Sequence, residues 1–464
     1  MTPVNFKLSK RLPKDLTPSP FFEELEKAKA EVAKTCAGEN CAGFIDMTVS
    51  SPVRVGLPVE LESAVDQARS QFGSWSPDAS GWREAREAVA QYYKDRGGVF
   101  TPGQIVVTAS TSEAYSVLFK TFCDPGDVIL TPMPGYPLLD TLAQLEHLEC
   151  APYFLKLGRE KQQRTLAQLK ADVERKSQLG GRDGKKEVGP QFRFVLDTDS
   201  LLAAPENARI LLLVSPHNPT GHIVSLQEWK EVVRFCEENN LILVVDEVFG
   251  DYGFSDEVKR SWQYLRGAGD GRSPVEPGMT NRGDSSDYFD CGGNDLVFAP
   301  KDGPQCPIFW LNGLSKAVGA PQLKFGWMAF YAPRENFEEI RAALEFVEDA
   351  YLSTSSCAQA LATPLLTHAA EYETLVTARL MQNWSTLQSM FPNKYCPKVL
   401  GGWYAVVHLG EDDEELTLRL LREKHVLVQP GFFFDFDEDG WVVISLLQKP
   451  DVFAEAVKRI AELQ

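Results

Sequence analysis

The sequence predicts an α/β fold: a large domain with a mostly parallel, seven-stranded sheet flanked by helices, plus a smaller α/β domain. Short, apolar, β-branched runs recur between residues 100 and 335, as in buried parallel strands. Two of these runs enclose a helix that begins with a capping box, Ser225 followed by Glu228. Such a strand–helix–strand unit needs a right-handed crossover, which makes its two strands parallel.

The expected strands follow one another along the chain. They are Ile105–Thr108, Val128–Thr131, Cys150–Leu155, Ile210–Val214, Leu241–Val245, Ile308–Leu311 and Trp327–Tyr331. After Ala332 the pattern changes to a long helix, two more strands and a terminal helix. We therefore assign residues 61–332 to the large domain and 333–464 to the small C-terminal domain. Two polar stretches, about 158–189 and 267–303, are expected to be insertions into the large domain.

Composition narrows the classes of function. The 464 residues carry a net charge of −18, which argues against nucleic-acid and anionic-membrane partners. No apolar run is as long as a membrane span, and the N-terminus has no stretch typical of a signal peptide, so a cytoplasmic location is expected. The nine cysteines include no Cys-x-x-Cys pair and are expected to be free thiols. The six histidines lack metal-ligand spacing, so no metal site is predicted.

Polar side chains follow three strands of the predicted sheet. Asn218 follows the fourth strand, Asp246 the fifth and Lys316 the sixth. Because parallel strands end at one edge of a sheet, an amide, a carboxylate and an amine should meet there. Pyridoxal phosphate needs these groups: an amine for a Schiff base, an acid for the pyridine nitrogen and a donor for the ring oxygen. Taken singly, each residue has an ordinary alternative role: Asn218 could form a turn without a ligand, Asp246 could cap a turn, and Lys316 could be a surface lysine.

With these motifs, from about Phe44 to the C-terminus, the chain resembles the class I/II aminotransferases, a fold-type-I family of pyridoxal-phosphate-dependent enzymes. The resemblance implies pyridoxal 5′-phosphate as cofactor, with Lys316 forming the Schiff base and then transferring a proton. It places Asp246 at the pyridine nitrogen and Asn218 at the ring oxygen. It also implies that residues 1–60 join the small domain and line the active site, and that the protein is a homodimer.

The phosphate group of the cofactor is expected at the start of a helix. Ser110, Thr111 and Ser112 follow the first strand, where hydroxyls, free amides and the helix dipole favour an anion, although they would also serve as ordinary N-caps. The resemblance assigns them to the phosphate. It also assigns Lys324 to the phosphate. The family has an arginine at this position; a lysine keeps the positive charge but cannot form the arginine's bidentate hydrogen bond. Trp75 stands where many relatives have a tyrosine that reaches the partner subunit's phosphate.

Two further residues are expected around the cofactor ring. Tyr136 matches the position of the aromatic residue that stacks on it. Phe249 replaces the usual tyrosine, whose hydroxyl donates to the ring oxygen. We hypothesise that the loss of this donor raises the pKa of the Schiff base between the lysine and the cofactor.

The substrate carboxylate presents the clearest departure from the family. Relatives that act on α-amino acids usually clamp it with an arginine in a late small-domain strand, whereas the matching stretch here, 440–445, has valine at that position. We hypothesise that Arg54 binds the carboxylate instead, within a segment that begins at Ser50 and lines the site in relatives. The alternative is that Arg54 is only a solvated loop charge.

The function predicted from these features is that of an aminotransferase. It would move an amino group from an amino acid to a 2-oxo acid through a pyridoxamine form of the cofactor. The alternatives are another pyridoxal-phosphate enzyme, either a lyase catalysing C–S β-elimination or a cyclising synthase, and a non-catalytic binding protein with this fold. Retention of Lys316, Asp246 and Asn218 argues against the last of these.

Overall fold

The computed structural model describes most of the chain. The described residues are 7–13, 16–17, 19–35, 43–159, 192–255, 260–266, 287–290, 296–352, 354–392, 395–410 and 412–463. Most of the two expected insertions, 158–189 and 267–303, lies outside this range.

The described helices and strands are numbered here in chain order. The helices are α1 Pro20–Thr35, α2 Leu61–Ala68, α3 Arg83–Asp95, α4 Thr111–Phe122, α5 Leu138–Leu145, α6 Leu226–Asn239, α7 Leu314–Ala317, α8 Arg334–Tyr351, α9 Ser356–Leu366, α10 Ala369–Met390, α11 Asp413–Lys424 and α12 Pro450–Ala461. The strands are β1 Ile45–Asp46, β2 Ile105–Thr108, β3 Val128–Met133, β4 Glu149–Arg159, β5 Phe192–Leu196, β6 Ala208–Val214, β7 Ile242–Asp246, β8 Tyr288–Asp290, β9 Leu296–Phe298, β10 Ile308–Gly313, β11 Gly326–Tyr331, β12 Tyr404–His408, β13 Val426–Leu427, β14 Gln429–Pro430 and β15 Trp441–Ser445. Among the described helices, none is long and apolar enough to cross a membrane.

The large sheet has eight strands in the order β2-β11-β10-β7-β6-β3-β4-β5. Its centre is parallel, from β10 through β7, β6 and β3 to β4. Strand β11 runs antiparallel to both of its neighbours, and β5 runs antiparallel to β4. All seven expected strands are present, so the α/β class is confirmed.

The expected number of strands was one too low. The missed strand, β5, pairs with the far end of β4 from Leu155 to Arg159. Its residues are mostly half-buried, with only Phe194 and Leu196 fully inside. A short edge strand of this kind, directly after a polar stretch, has too weak an apolar pattern to stand out in the sequence.

The crossover helix α6 explains why β6 and β7 are parallel. The Ser225 hydroxyl accepts a hydrogen bond from the Glu228 N–H at 3.3 Å, and the Glu228 carboxylate accepts one from the Ser225 N–H at 2.8 Å. The apolar face of α6, which includes Trp229 and Val232, is buried against the sheet. The chain therefore returns beside β6, with Val214 opposite Asp246, as the capping box predicted.

The C-terminal part contains a three-stranded antiparallel sheet, β12-β15-β14. Its two faces have different partners, because side chains alternate along a strand. Val442 and Ile444 pack into a local core, whereas Trp441 and Val443 belong to the apolar cluster of the large sheet. The N-terminal segment joins this region: β1 pairs with β13, and the Ser445 N–H donates to the Met47 carbonyl at 2.7 Å. The domain boundaries given above remain a prediction.

Candidate active site

The carboxyl ends of β6, β7 and β10 lie side by side and bring three polar loops together. In the register of the sheet, Asp246 is opposite Val214 on one side and Leu311 on the other. Asn218 and Lys316 follow those two strands within a few residues. The sheet edge therefore collects the amide, the carboxylate and the amine, as the parallel topology predicted.

Both oxygens of the Asp246 carboxylate are held by the protein. The Tyr115 hydroxyl donates to Oδ2 at 2.7 Å, and the Val248 N–H donates to Oδ1 at 3.0 Å. Burial raises the pKa of Asp246, while these two hydrogen bonds and the charge of Lys316 act in the opposite direction. Tyr115 was not identified as a site residue from the sequence.

The Lys316 side chain lies among aromatic rings. Its Nζ is 4.6 Å from the centre of the Trp403 ring and 5.6 Å from that of Phe249. Burial lowers the pKa of the Lys316 amine to about 8, although the charge of Asp246 favours the protonated form. Near neutral pH the neutral, nucleophilic form of this amine is still the minor one, but it is far more abundant than in a lysine of ordinary pKa.

Asn218 lies in a tight loop that the rest of the protein fixes. Gly221 in this loop has φ +67°, and a Cβ there would lie 2.4 Å from the Val399 side chain, so only glycine fits. Within the described part of the chain, the buried Oδ1 of Asn218 has no hydrogen-bond partner. A side-chain amide left partly unsatisfied at the sheet edge suits contact with a bound ligand.

The start of α4 carries the three hydroxyl residues that were expected at the phosphate. The Ser110 hydroxyl caps the helix by accepting from the Glu113 N–H at 3.2 Å, and Thr111 and Ser112 follow in the first turn, partly exposed. Lys324 is exposed and has φ +51°. It lies two residues before Gly326, where a Cβ would be 3.0 Å from the backbone carbon of Ser110. This close approach brings the Lys324 segment beside the helix start.

The two residues expected to contact the cofactor ring differ in their exposure. Tyr136 is 39% exposed on the loop after β3, and its pKa is raised by burial and by the nearby Asp246 charge. Phe249 is buried, with its ring 5.3 Å from that of Trp403 and 5.9 Å from that of Tyr404. The Lys316 amine therefore lies near the rings of Trp403 and Phe249, and Tyr404 packs against Phe249.

The expected substrate residues lie along the N-terminal segment. Ser50 hydrogen-bonds to the Tyr404 hydroxyl, next to the aromatic rings. The Arg54 side chain is 69% exposed, and its guanidinium is 4.0 Å from the Asp46 carboxylate. Strand β15 is fully buried and contains no basic residue, so it supplies no carboxylate clamp.

Trp75 lies apart from the other predicted residues. Its side chain is 73% exposed, and no hydrogen bond or ring contact joins it to the described residues of the site. Within a single chain, therefore, no such contact joins Trp75 to the described residues at the start of α4.

The residues present fit pyridoxal phosphate. They provide a buried amine of lowered pKa, a carboxylate fixed by two donors, a side-chain amide at the same sheet edge and a helix start with hydroxyl side chains. Fold and site together define an α/β enzyme of the type that carries an amine-bound cofactor at the edge of a parallel sheet.

Comparison with known proteins identifies the family. The sequence profile of "Aminotransferase class I and II" matches residues 57–460, and the chain belongs to this family. It is thus an aminotransferase, in a family of pyridoxal-phosphate-dependent enzymes.

Individual relatives are distant. The chain is 21% identical to the tyrosine aminotransferase of Caenorhabditis elegans over 401 residues, covering 84% of this chain and 71% of the relative. It is 22% identical to the glutamate-pyruvate aminotransferase AlaA of Haemophilus influenzae over 431 residues, covering 90% of each. The alanine aminotransferase of Pyrococcus furiosus superposes with a TM-score of 0.73 at 19% identity, covering 98% of this chain and 99% of that one. At this identity, the structural likeness establishes the fold alone.

Proposed function

We propose that this aminotransferase binds pyridoxal 5′-phosphate at Lys316 and moves an amino group from an amino acid to a 2-oxo acid. The observation that carries the proposal is the pairing of a buried Lys316 amine with an Asp246 carboxylate that Tyr115 and Val248 hold in place. When bound, the cofactor supplies an electron-accepting ring that stabilises the charge left when a substrate C–H bond breaks.

Around this cofactor each residue has a distinct task. Asp246 keeps the ring nitrogen protonated, because its two fixed oxygens present negative charge in a buried setting. Asn218 donates from its amide nitrogen to the ring oxygen. The phosphate is held by Ser110, Thr111 and Ser112 at the positive end of α4, with Lys324 contributing charge from the adjoining turn. Tyr136 and Phe249 flank the ring.

Lys316 is the group that moves protons. With the cofactor bound, the Lys316 amine would be the base that accepts the proton of the substrate α-carbon and the acid that later gives this proton up. A pKa of about 8 is close to working pH, which is the condition for efficient transfer in both directions. The faces of Trp403 and Phe249 stabilise the lysine while it carries the extra proton.

A half-reaction tests the proposal directly. The cofactor-loaded protein is mixed with a stoichiometric pool of amino acids in the absence of any 2-oxo acid, and the cofactor is then extracted with acid and identified by chromatography. Recovery of pyridoxamine phosphate is expected, with none from Lys316→Ala. Release of ammonia with the cofactor recovered as pyridoxal phosphate would instead establish a lyase.

Arg54 is our candidate for the substrate carboxylate, because β15 offers no cation and Arg54 lies on the segment that reaches Ser50. In Arg54→Ala, the KM for the amino donor should rise about tenfold, as expected for the loss of one charge-assisted hydrogen bond. Arg69→Ala is the matched control, since Arg69 is equally exposed and paired with Asp66 on the surface. An unchanged KM in Arg54→Ala would reject the clamp.

The homodimer and the cytoplasmic location remain proposals. The exposed indole of Trp75 supports a dimer, because the residue would reach a phosphate only across a subunit interface. Sedimentation analysis, with the cofactor affinity of Trp75→Ala measured alongside, tests the dimer. Cell fractionation tests the location.

A further inference from the structure

The segment that follows β7 holds both ends of the turn that carries the reactive lysine. We define the lysine turn as residues Asn312–Lys316. We propose that two consecutive residues, Asp251 and Tyr252, are positioning residues that fix this turn from its two ends. This inference rests on the proposed role of Lys316 and goes beyond it, because neither residue is among those assigned to the cofactor or the substrate.

Tyr252 holds the Lys316 end. Its fully buried hydroxyl donates to the Lys316 backbone carbonyl at 2.5 Å. The short helix α7 does not use that carbonyl, because the Val318 and Ala320 N–H groups both donate to the Leu314 carbonyl. Tyr252 therefore satisfies the Lys316 carbonyl, an acceptor that would otherwise be unpaired in the protein interior. This bond is made at the residue whose side-chain amine must be correctly positioned for the reaction.

Tyr252 is itself immobilised. Its ring lies 5.2 Å from that of Trp403, the same ring whose centre is 4.6 Å from the Lys316 amine. Its carbonyl accepts from the Gly402 N–H at 2.8 Å. The hydroxyl is thus presented from a rigid support and not from a mobile loop.

Asp251 holds the Asn312 end through Tyr92. The Asn312 side chain accepts from the Gly313 N–H at 2.7 Å and donates to the Tyr92 hydroxyl at 3.2 Å. That hydroxyl donates in turn to Asp251 Oδ2 at 2.8 Å. The first residues of the lysine turn are therefore joined to Asp251 by a continuous chain of hydrogen bonds.

A buried charge network anchors Asp251. Its Oδ1 accepts from Arg96 and from Arg260, each at 3.0 Å, and both arginines also reach Glu373 on α10, at 3.0 and 2.9 Å. The Asp251 side chain is only 3% exposed. A network of this kind resists displacement, because moving any member leaves a buried charge unpaired.

The arrangement matters for the reaction because proton transfer depends on the position of the Lys316 amine. A displacement of about 1 Å can reduce a rate by up to about a hundredfold. The same stretch, Asp246 to Tyr252, thus holds the ring acid at its start and the lysine turn at its end. A single segment therefore sets the distance between the Lys316 amine and the Asp246 carboxylate.

Tyr252→Phe tests the proposal, because it removes the hydroxyl and keeps the ring. Tyr372→Phe is the matched control: Tyr372 is also buried, lies against Gly319 just beyond the lysine turn, and its hydroxyl has no hydrogen-bond partner in the described part of the chain. The first readout is the pKa of the Lys316 amine in the cofactor-free protein, measured by competitive labelling and peptide mass spectrometry. The second is steady-state kinetics of the loaded enzyme.

In Tyr252→Phe, the pKa of Lys316 should rise from about 8 towards the ordinary lysine value, because a loosened turn lets the amine reach water. We expect kcat to fall about tenfold with KM unchanged. Tyr92→Phe, which breaks the other arm, should change both quantities in the same direction. Tyr372→Phe should match the parent protein.

Two results would overturn the proposal: equal Lys316 titrations in Tyr252→Phe and Tyr372→Phe, or a fall in kcat that Tyr372→Phe reproduces. Failure of the proposed function is recognised separately, because the labelling needs no turnover. A protein that fails to transaminate but shows the raised Lys316 pKa in Tyr252→Phe would refute the function and support the positioning role.

Discussion

The hydrogen bond from Tyr115 to Asp246 should set the pH range over which the protein binds its cofactor. Tyr115 is buried on α4, and its hydroxyl donates to Asp246 Oδ2 at 2.7 Å. This bond favours the ionised carboxylate, so it keeps the pKa of Asp246 lower than burial alone would allow. Tyr115→Phe removes the donor and leaves the ring in place.

The size of the effect follows from the kind of bond. A hydrogen bond to a charged group contributes about 1.5–3 kcal/mol, and 1.36 kcal/mol corresponds to one pH unit in a pKa. The pKa of Asp246 should therefore rise by about one to two pH units in Tyr115→Phe. Because only the ionised carboxylate pairs with a protonated ring nitrogen, binding should begin to fail at a correspondingly higher pH as the solution is acidified.

The assay is the dissociation constant of pyridoxal phosphate as a function of pH, measured by equilibrium dialysis. Tyr153→Phe is the control, because Tyr153 is also buried and donates to a backbone carbonyl, that of Leu212, at 2.7 Å. Both variants lose a buried hydrogen bond, but only Tyr115→Phe should shift the acidic limb. Coincident acidic limbs in the parent and Tyr115→Phe would refute the reasoning.

Three other predictions follow from buried charges and missing donors. The rate at which the protein combines with pyridoxal phosphate should rise with pH, with a midpoint near 8, and then level off. Stopped-flow absorption should show a lower midpoint in Asp246→Asn, because Asp246 raises the pKa of Lys316. Burial, with the Glu113 charge, raises the pKa of Glu348 to about 8, so the native state holds an extra proton and loses stability as pH rises from 5 to 8. In urea unfolding over this range, the free energy of unfolding of Glu348→Gln should therefore gain on that of the parent by about 1 kcal/mol per pH unit. A difference that stays constant with pH would contradict this. Phe249→Tyr should lower the pH midpoint of the absorption titration of the loaded protein by restoring a donor to the ring oxygen, and identical titrations would count against that role.

The parallel core of the fold was predictable because its signals are local. Runs such as Ile210–Val214 are short and wholly apolar, and the capping box at Ser225 begins the crossover helix between two of them. Strand β5 was missed because its pairing with β4 depends on residues distant in sequence. A half-buried edge strand carries too little apolar periodicity to signal that pairing.

The site was predictable where a loop follows a strand and not where a side chain reaches it from elsewhere. Asn218, Asp246 and Lys316 were identifiable because parallel strands must end together. Tyr115 and Trp403 approach from a helix and from the C-terminal sheet, so their contacts exist only after the elements pack. The same holds for Tyr252, whose hydroxyl crosses to another loop.

The two halves of the site are built differently, and this has a consequence for substrate binding. The acid and the amine are fixed by buried tyrosines, whereas the candidate carboxylate clamp, Arg54, is 69% exposed and shares its charge with Asp46. An exposed ion pair contributes only about 0–1 kcal/mol and is weakened by salt, whereas a buried one is screened little. If Arg54 binds the carboxylate while still exposed, the KM for the amino donor should rise with ionic strength while kcat stays constant. A KM that does not change between low and physiological ionic strength would mean either that the segment closes over Arg54 when substrate binds or that Arg54 takes no part in binding. The Arg54→Ala variant separates these two cases, because its KM should rise in the first and stay unchanged in the second.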